Sequence, residues 1–244
     1  HRVIIKSGHT ITTTQNNRQA YSLELNGTLK LQDKIYHDFR RLTGSGTLMI
    51  AAYNGQFLPP GGDLTAFTNQ SASTIELNGA GTLDARFTEF PNLNFTGLGD
   101  KVIPLSLNSR YHTVYGNLTI ADGVVKKLGS SNQGILRVYG NWDNKKGAGA
   151  WVPGTSQVQL VGDRNQTVSI AGTATEQFYN LQLQKNQASQ KLSLSSSVDV
   201  TNLLSLNRGI VDVAAGKVLR LTSTGAGYTR SGYTIADAFV DGAM

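Results

Sequence analysis

The segment VDVTNLLSLNRGIVDVAAGKVLRL, residues 198–221, consists of short runs in which apolar and polar residues alternate. This alternation has the two-residue period of a β-strand, and the Asn, Ser and Gly residues between the runs favour turns. We therefore expect short strands separated by turns of about two to four residues. Each strand is too short to be stable by itself. Stacking on a near-copy would bury its apolar side, so the segment predicts a solenoid.

Related units recur along the chain. Two short apolar segments joined by a Gly-containing bend occur at residues 3–12, 23–31, 42–50 and 75–83. The tripeptide Gly-Thr-Leu begins at Gly27, Gly46 and Gly81, and we expect it to open the second strand of its unit each time. An apolar strand that runs into Tyr-Gly-Asn and then a hydrophobic residue occurs at residues 114–120 and again at residues 135–142. Further strands are predicted at residues 158–162, 166–170, 178–183 and 192–194.

Three stretches interrupt this pattern. Residues 33–41 carry apolar residues at helix-like intervals, which is compatible with a short helix or with an irregular excursion. Residues 56–62 contain two Pro and two Gly and predict a loop. Residues 87–100 contain three Phe, one Pro and two Gly, and we expect a long surface loop that its aromatic rings hold in place.

The predicted fold class is all-β. Many short strands with Gly-rich turns are compatible with a sandwich, a barrel or a solenoid. The brevity of the strands, the repeated motif and the short connections favour a right-handed parallel β-helix, a solenoid with loop excursions. At ~20–25 residues per coil the chain would form about ten coils and a rod ~50 Å long. We expect one continuous solenoid, with longer loops in residues 1–130 and continuing repeats in residues 131–244.

Composition narrows the classes of function. Hydrophobic residues make up 39% of the chain and Gly accounts for 27 of 244 residues, which is typical of a chain that turns often around a thin core. The net charge of +6 arises from 22 basic and 16 acidic residues that are scattered along the chain. We therefore expect solvated faces and no nucleic-acid-binding stripe. The sequence has no Cys, which excludes disulfides and thiolate metal sites, and no apolar run approaches the ~20 residues that cross a bilayer.

Few residues suggest catalysis. Asp84, Arg86 and Glu89 form the most compact charged group with apolar surroundings, but a general acid and a general base would have to meet in space. We interpret the group as solvated surface. The four His residues lack partners at the spacing of a zinc site, and no calcium-binding loop is present. The sequence therefore predicts no catalytic, cofactor-binding or metal site, and it leaves ligand-binding residues undefined.

The two Trp residues flank a polar loop. Trp142 belongs to the repeat motif, so we assign it to the core, whereas Trp151 is equally compatible with a cap over the core and with a contact surface. The sequons that begin at Asn26 and Asn117 coincide with the repeat bends, and we interpret them as turn chemistry and not as glycosylation sites.

Residues 134–242 contain, in order, the segments LRVYGNW, GTSQVQLVG, NQTVSI, FYNLQL, LLSLNRGI and FVDG. In this order the segments resemble the β-helical repeat regions of large secreted, adhesin-like cell-surface proteins of Bacteroidetes, many of which are type IX secretion substrates. Ala243 departs from the family, which often has Pro there. Residues 1–130 match less specifically. The resemblance implies secretion, attachment to the cell surface and a stalk or adhesive role, with gliding adhesins among its members, and it implies no enzyme activity for the repeats.

These observations favour a structural or adhesive stalk module that spaces or displays other domains at the extracellular cell surface. The alternative is a β-helix that binds or cleaves polysaccharide. A third hypothesis, a segment held by a transport machine, has no signature in the sequence. Expected partners are surface glycans, other cell-surface or secretion proteins and the flanking domains of a longer parent chain. We expect no nucleic acid partner, no cofactor and no membrane-spanning segment.

Overall fold

The computed structural model describes residues 1–31, 37–51, 63–83, 87–103, 111–121, 128–130, 134–222, 227–229 and 238–242. Strands make up 56% of these residues and helix 2%. The strand pairings between these residues are all parallel, and they connect each strand to one that lies about one coil further along the chain. The predicted parallel β-solenoid is therefore confirmed.

The elements follow one another closely along the chain. In order they are β1 Arg2–Ile5, β2 Thr10–Thr12, β3 Gln19–Ala20, β4 Ser22–Leu25, β5 Thr28–Lys30, β6 Asp38–Phe39, β7 Leu42–Thr43, β8 Thr47–Ile50, α1 Thr65–Thr68, β9 Thr74–Leu77, β10 Gly81–Thr82, β11 Glu89–Phe90, β12 Asn92–Phe95, β13 Lys101–Ile103, β14 Tyr111–Val114, β15 Leu118–Ile120, β16 Leu128–Ser130, β17 Ile135–Val138, β18 Trp142–Asn144, β19 Trp151–Val152, β20 Gln157–Gly162, β21 Gln166–Ile170, β22 Glu176–Lys185, β23 Lys191–Leu194, β24 Val198–Val213, β25 Leu219–Leu221, β26 Gly227–Thr229 and β27 Ala238–Asp241.

The longest ladder, called sheet I, contains eleven strand segments. They are β2, β5, β8, β9, β12, β15, β18, β21, β23, the last part of β24, and β27. The spacing of paired residues ranges from 18 residues, between Ile11 and Leu29, to 29 residues, between Val211 and Val240. At ~4.8 Å per pairing, sheet I extends roughly 48 Å from its first to its last strand.

Two further faces complete the coils. Sheet II contains β11, β14, β17, β20, the second part of β22, the middle of β24, and β26, and its strands precede those of sheet I in each coil. Sheet III contains β10, β13, β16 and β19, which follow sheet I. In the first coils, the ladders β1–β4–β7 and β3–β6 accompany sheet I.

The core fills the space between the faces because alternate residues of each strand point inward. On sheet I the inward column runs through Leu48, Ile75, Leu93, Leu118 and Trp142, and all five side chains are fully buried. Burying a side chain of this size stabilises the fold by about 1.5–3 kcal/mol. Stacked columns of this kind explain how strands of three or four residues can be stable.

Asparagine side chains join successive coils at the bend that precedes sheet I. The backbone N–H of Asn117 donates to Asn92 Oδ1 at 2.8 Å, and the backbone N–H of Asn141 donates to Asn117 Oδ1 at 2.8 Å. The backbone N–H of Thr167 continues the series to Asn141 Oδ1 at 2.9 Å. The Tyr-Gly-Asn motif therefore marks a turn in which each Asn satisfies a backbone donor of the next coil.

The opening segment of the sequence differs from its prediction in one respect. Residues 198–213 form the single bent strand β24 instead of short strands separated by turns. Its first part pairs with β25, its middle with β26 and its end with β27, so one strand contributes to several faces. The chain changes direction within the strand, where the alternation of burial breaks between Val200 and Leu204.

The third Gly-Thr-Leu opens the second strand of its unit, β10, as predicted, but it lies on a different face of the solenoid from the first two. Thr28 and Thr47 pair directly on sheet I, as the repeat predicts. Gly81 instead pairs with Lys101 on sheet III, and the strand that follows β8 on sheet I is β9. A tripeptide sets local strand and bend geometry, but the length of the intervening chain decides which face the tripeptide reaches.

Residues 87–100 are not a long surface loop. They contain β11 and β12, and the side chains of Phe90 and Phe95 are fully buried. Pro91 and the two Gly residues concealed the alternation in which Leu93 and Phe95 face the core. In the other two interruptions, residues 33–36 and 56–62 lie outside the described residues, whereas Asp38–Phe39 forms β6.

Candidate functional site

The outer surface of sheet II carries a column of polar side chains. Thr113, Arg137, Gln159, Gln182, Ser205 and Thr229 occupy the same register on successive strands. Residues paired across parallel strands lie about 4.8 Å apart, so these side chains are close enough to bond to one another. Glu89 on β11 pairs with Thr113 and begins the column, whose members Gln159, Gln182 and Ser205 are buried by their neighbours.

A chain of hydrogen bonds fixes the middle of this column. Arg137 Nε donates to Gln159 Oε1 at 2.8 Å, and Gln159 Nε2 donates to Gln182 Oε1 at 2.8 Å. Gln182 Nε2 then donates to Gln184 Oε1 at 3.2 Å, and Gln157 Nε2 also donates to Gln182 Oε1, at 2.6 Å. We call these residues the glutamine chain. The chain holds Arg137 at one end and Gln184 at the other.

Aromatic rings support the same region. The guanidinium carbon of Arg137 lies 3.4 Å from the centroid of the Tyr111 ring, a cation–π contact. In the neighbouring column, Tyr115 and Tyr139 stack with centroids 5.7 Å apart. The stack ends at Gly162, which has a φ of +101° and whose added Cβ would lie 2.8 Å from Tyr139 Cδ1. A glycine is therefore required for the Tyr139 ring to lie against the backbone.

A groove of about 420 Å³ opens beside this support. Arg137 and Gln184, which the glutamine chain fixes, line this groove together with Tyr139. The other described lining residues are Lys185, Arg208, Val161, Gly162 and Asn186. We call it the sheet II groove. Among the described residues, its lining contains no Asp or Glu.

The basic residues of the groove are anchored by the backbone. Arg208 Nη1 donates to the carbonyl oxygen of Asn186 at 2.8 Å. Lys185 is 2% exposed, and its ammonium donates to the carbonyl oxygen of Arg164 at 2.9 Å and to Gln166 Oε1. Burial lowers the pKa of Lys185 to about 7, against the opposing effect of the nearby Asp163 carboxylate. Lys185 therefore stabilises the wall of the groove, which Arg137 and Arg208 also line.

A second polar cluster is enclosed in the core. Glu176 is 2% exposed, and its Oε2 accepts hydrogen bonds from Trp142 Nε1 at 2.9 Å and from Asn144 Nδ2 at 2.8 Å. The Trp142 ring packs edge-on against Trp151 and Phe178, with centroids 5.1 Å away in both cases. Burial raises the pKa of Glu176, and the hydrogen bonds from Trp142 and Asn144 oppose this rise. Because its carboxyl and its amide are hydrogen-bonded to one another within the core, we interpret the cluster as structural.

The side chains of both Trp residues lie in the core. Trp142 is fully buried, which confirms its assignment to the core. Trp151 is 2% exposed and packs against Trp142, so a contact surface is excluded as its role. Trp151 Nε1 has no hydrogen-bond acceptor among the described residues. An edge-on packing between two indole rings requires a pairing register that the sequence does not display.

The residues that suggested chemistry are not brought into one site. Glu89 lies on β11, where its Oε1 is 3.5 Å from the hydroxyl of Tyr115, whereas Asp84 and Arg86 lie outside the described residues. Of the four His residues, His1 and His9 are exposed, and His37 and His112 are buried. Among the described residues, no three His, Asp or Glu side chains group closely enough to hold a metal ion.

Comparison with known proteins adds no relative. No known family model, curated protein or solved structure matches this chain. Its assignment to the β-solenoids therefore rests on the strand pairing described above. The part of the chain that the structure describes also has no helix with the length and apolar character that a bilayer crossing requires.

The sheet II groove was missed at the sequence level. Gln184 follows Arg137 by more than forty residues in the sequence, and Arg208 follows Gln184 by more than twenty. The stacking of the coils brings the three residues together. One signal was present, because Gln159 and Gln182 occupy polar positions of two predicted strands, and Gln157 and Gln184 flank those strands directly. Polar outward positions that recur as amides, and not as mixed charges, indicate a side-chain ladder on the outer face.

Proposed function

We propose that this chain is a spacing and display segment of a large extracellular cell-surface protein. The observation that carries the proposal is the uninterrupted ladder of sheet I, in which eleven strand segments stack in parallel. A solenoid of this kind converts chain length into distance along one axis, at about 4.8 Å per coil. Flanking domains of a longer parent chain would be held apart by the length of the rod.

The packing supports a mechanical role. Each coil buries its inward column against the coils on either side, and backbone hydrogen bonds between coils run along the rod. Stability in such an architecture is approximately the sum of the coil terms and the interfaces between neighbours. The number of coils can therefore vary while the fold is kept, which suits a spacer whose length matters more than any one surface.

Removal of one whole coil tests the spacer directly. Leu118 and Trp142 are paired residues on sheet I, and Asn117 and Asn141 occupy the equivalent bend. Deletion of residues 118–141 joins Asn117 to Trp142 and preserves the Gly-Asn-apolar sequence of the bend. We expect a folded protein shortened by ~4.8 Å, measured by energy transfer between fluorophores at the two ends and checked by circular dichroism.

A matched deletion provides the control. Removal of residues 118–129, about half of that coil, leaves the inward column out of register and should unfold the neighbouring coils. If the whole-coil deletion unfolds the protein, or if both deletions are tolerated equally, the modular spacer is wrong.

The extracellular location needs its own test. The resemblance of residues 134–242 to the surface repeats of Bacteroidetes supports export through a type IX pathway and an adhesive role, including a role in gliding. Antibodies raised against this segment should label intact cells that produce the natural protein. Labelling that appears only after the cells are permeabilised would contradict the proposal.

A second function, the binding of carbohydrate, is favoured by the sheet II groove. Binding is favoured over cleavage because glycoside hydrolysis generally needs two carboxyl groups about 5–10 Å apart, and the described residues contribute none to the lining of the groove. Incubation with plant and algal polysaccharides should therefore release no reducing sugar. Release of sugar that is lost in an Arg137→Gln variant would instead assign a cleavage site to the groove.

A further inference from the structure

His112 is a polar side chain enclosed in the apolar core. It lies at an inward position of β14, where it is 1% exposed and pairs with Leu136. Phe90, which is fully buried, stacks against the imidazole with ring centroids 6.5 Å apart. The same register continues on the following strands through buried apolar side chains, which are Val158, Leu181 and Leu204. The histidine therefore begins a column that excludes water.

The imidazole of His112 is also unpartnered. Neither of its ring nitrogens has a hydrogen-bond partner among the described residues. The other buried histidine differs, because His37 Nδ1 accepts a hydrogen bond from the backbone N–H of Arg18 at 3.3 Å. Burial of a polar group without a partner costs stability, and nearly all buried polar groups have partners. A leucine would continue the column of Leu136, so packing alone does not explain a histidine at this position.

Protonation of His112 would place a charge in this column. Burial disfavours the charged form and lowers the pKa of His112 from 6.5 to about 4. The unfolded chain therefore binds the proton more readily than the folded chain does. The corresponding stability is present above pH 6.5 and is lost as the pH falls to about 4. With these two values, the equilibrium constant for opening should be about 30 times larger at pH 5 than at pH 8.

The charged and titratable side chains of the adjoining strands point away from His112. Glu89 on β11, Tyr111 on β14 and Arg137 on β17 occupy outward positions of sheet II, whereas His112 points inward. The Arg137 guanidinium lies over the Tyr111 ring. The described strands β12 and β15 on the other side of the core contain no charged residue. These strands therefore offer no inward carboxylate that could stabilise an imidazolium.

Two ionisable groups of neighbouring coils are buried in the core, and both are bonded elsewhere. Lys101 on β13 is 1% exposed, and its ammonium donates to the carbonyl oxygen of Gly99 at 3.2 Å. Its charge has the same sign as that of an imidazolium and would oppose protonation further. The carboxyl of Glu176 accepts hydrogen bonds from Trp142 and Asn144.

The position of His112 along the rod gives its protonation a structural consequence. The next strand, β15, is the sixth of the eleven strand segments of sheet I, so five segments lie on either side of it. Each coil of a solenoid is stabilised by its own contacts and by its two neighbours. A cost imposed at one coil can therefore open the rod at that coil while the coils further away stay folded.

We propose that His112 makes the middle of the rod an acid-sensitive joint. When the imidazole takes up a proton, its ring leaves the core, β14 separates from β11 and β17, and the two halves of the rod stay folded but lose their fixed alignment. This device goes beyond the spacer function and does not depend on it, because it rests on the packing around one side chain and not on any flanking domain.

Hydrogen exchange of the unchanged protein, followed by mass spectrometry of its peptides, tests the joint. Rates at pH 5 and pH 8 are corrected for the intrinsic pH dependence of amide exchange. Protection of residues 111–114 and 135–138 should fall by about 30-fold from pH 8 to pH 5, whereas protection of residues 191–194 should change by less than about threefold. Protection that falls equally in all three segments, or that does not fall at residues 111–114, would overturn the proposal.

Two variants separate His112 from other acid effects. His112→Leu extends the apolar column and should abolish the loss of protection at residues 135–138. His9→Leu makes the same chemical change at an exposed histidine in the bend between β1 and β2, and it should keep the full loss of about 30-fold. Urea midpoints at the two pH values provide an independent readout, in which His112→Leu should show the smaller acid shift.

The remaining outcomes are also decisive. Acid responses of the unchanged protein and His112→Leu that run parallel between pH 5 and pH 8 would overturn the joint, as would an equal reduction of the response in His9→Leu. If His112→Leu does not fold, the comparison of the three segments in the unchanged protein decides the matter without it.

Discussion

The two buried tryptophans allow one hydrogen bond to be measured against a matched control. Trp142 and Trp151 are both buried and their rings touch. Trp142 Nε1 donates to the buried carboxyl of Glu176 at 2.9 Å, whereas Trp151 Nε1 has no acceptor among the described residues. Substitution of either residue by Phe removes the same atoms from the same region of the core, so the two variants differ mainly in that hydrogen bond.

The expected magnitudes are different. Replacing an indole by a phenyl ring vacates roughly 40 Å³, and at about 24 cal/mol per Å³ this lowers the free energy of unfolding by about 1 kcal/mol. In Trp142→Phe, loss of the hydrogen bond leaves the buried Glu176 carboxyl without one of its donors, which costs a further ~1.5–3 kcal/mol. In Trp151→Phe, removal of an unpaired buried donor returns ~1–3 kcal/mol and offsets the cavity. We expect Trp142→Phe to lose about 2.5–4 kcal/mol and Trp151→Phe to stay at or above the stability of the unchanged protein.

The assay is equilibrium unfolding in urea, followed by circular dichroism at neutral pH under identical conditions for both variants. Coils of a solenoid can unfold in more than one step, so the midpoints and slopes of both variants should be compared as well as the extrapolated free energies. Equal losses of stability in the two variants would refute the account, because they would show that the Trp142–Glu176 hydrogen bond contributes nothing beyond ring packing.

Three further results are expected. Burial raises the pKa of Glu176 above its ordinary 4.5. The stabilisation linked to its protonated form is therefore present below that pH and is lost as the pH rises through the pKa of the folded state. Glu176→Gln should lack this loss, and stability profiles of the two proteins that run parallel between about pH 4 and pH 8 would contradict the assignment. Asn117→Ala removes the acceptor of a backbone N–H in the next coil and should lower the free energy of unfolding by about 1–2 kcal/mol in urea titrations; an unchanged midpoint would show that water replaces the amide without loss. Gly162→Ala forces a Cβ to within 2.8 Å of the Tyr139 ring at a φ of +101°, whereas Gly172→Ala, at a φ of +67°, meets open space. Gly162→Ala should therefore be destabilised more than Gly172→Ala and should change the near-ultraviolet circular dichroism of the tyrosine stack. Equal effects of the two substitutions would mean that the position of the Tyr139 ring does not depend on Gly162.

The fold was predictable because its rule is local. A strand of three or four alternating residues followed by Tyr-Gly-Asn is visible in the sequence, and the coils built on Asn117 and Asn141 pair as the motif indicates. The assignment to a face was less predictable. The spacing between paired residues varies from 18 to 29, so the Gly-Thr-Leu at Gly81 reached sheet III, and no local pattern records that spacing.

The groove depended on features that a sequence does not display. Leu183 pairs with Leu206, but Gln184 pairs with Arg208, because the register shifts by one residue between these pairs. This bulge places Arg208 opposite Gln184 in the wall of the groove. A bulge of one residue reverses which side chains face outward, so the charge of the groove could be derived only after the pairing was known. The buried Glu176 was missed for a related reason, since a carboxylate is enclosed only where Trp142 and Asn144 of an earlier coil meet it.

Distances along sheet I test the solenoid most directly. Lys30, Met49, Glu76, Asn94, Thr119, Asp143 and Ser169 form one column of paired residues. Because the chain has no Cys, spin labels can be attached to Cys pairs that combine position 30 with position 119, 143 or 169. Pulsed electron resonance should give separations of about 19, 24 and 29 Å, which increase by ~4.8 Å for each coil. Separations that do not increase in this order, or that are equal for the three pairs, would contradict the stacked coils.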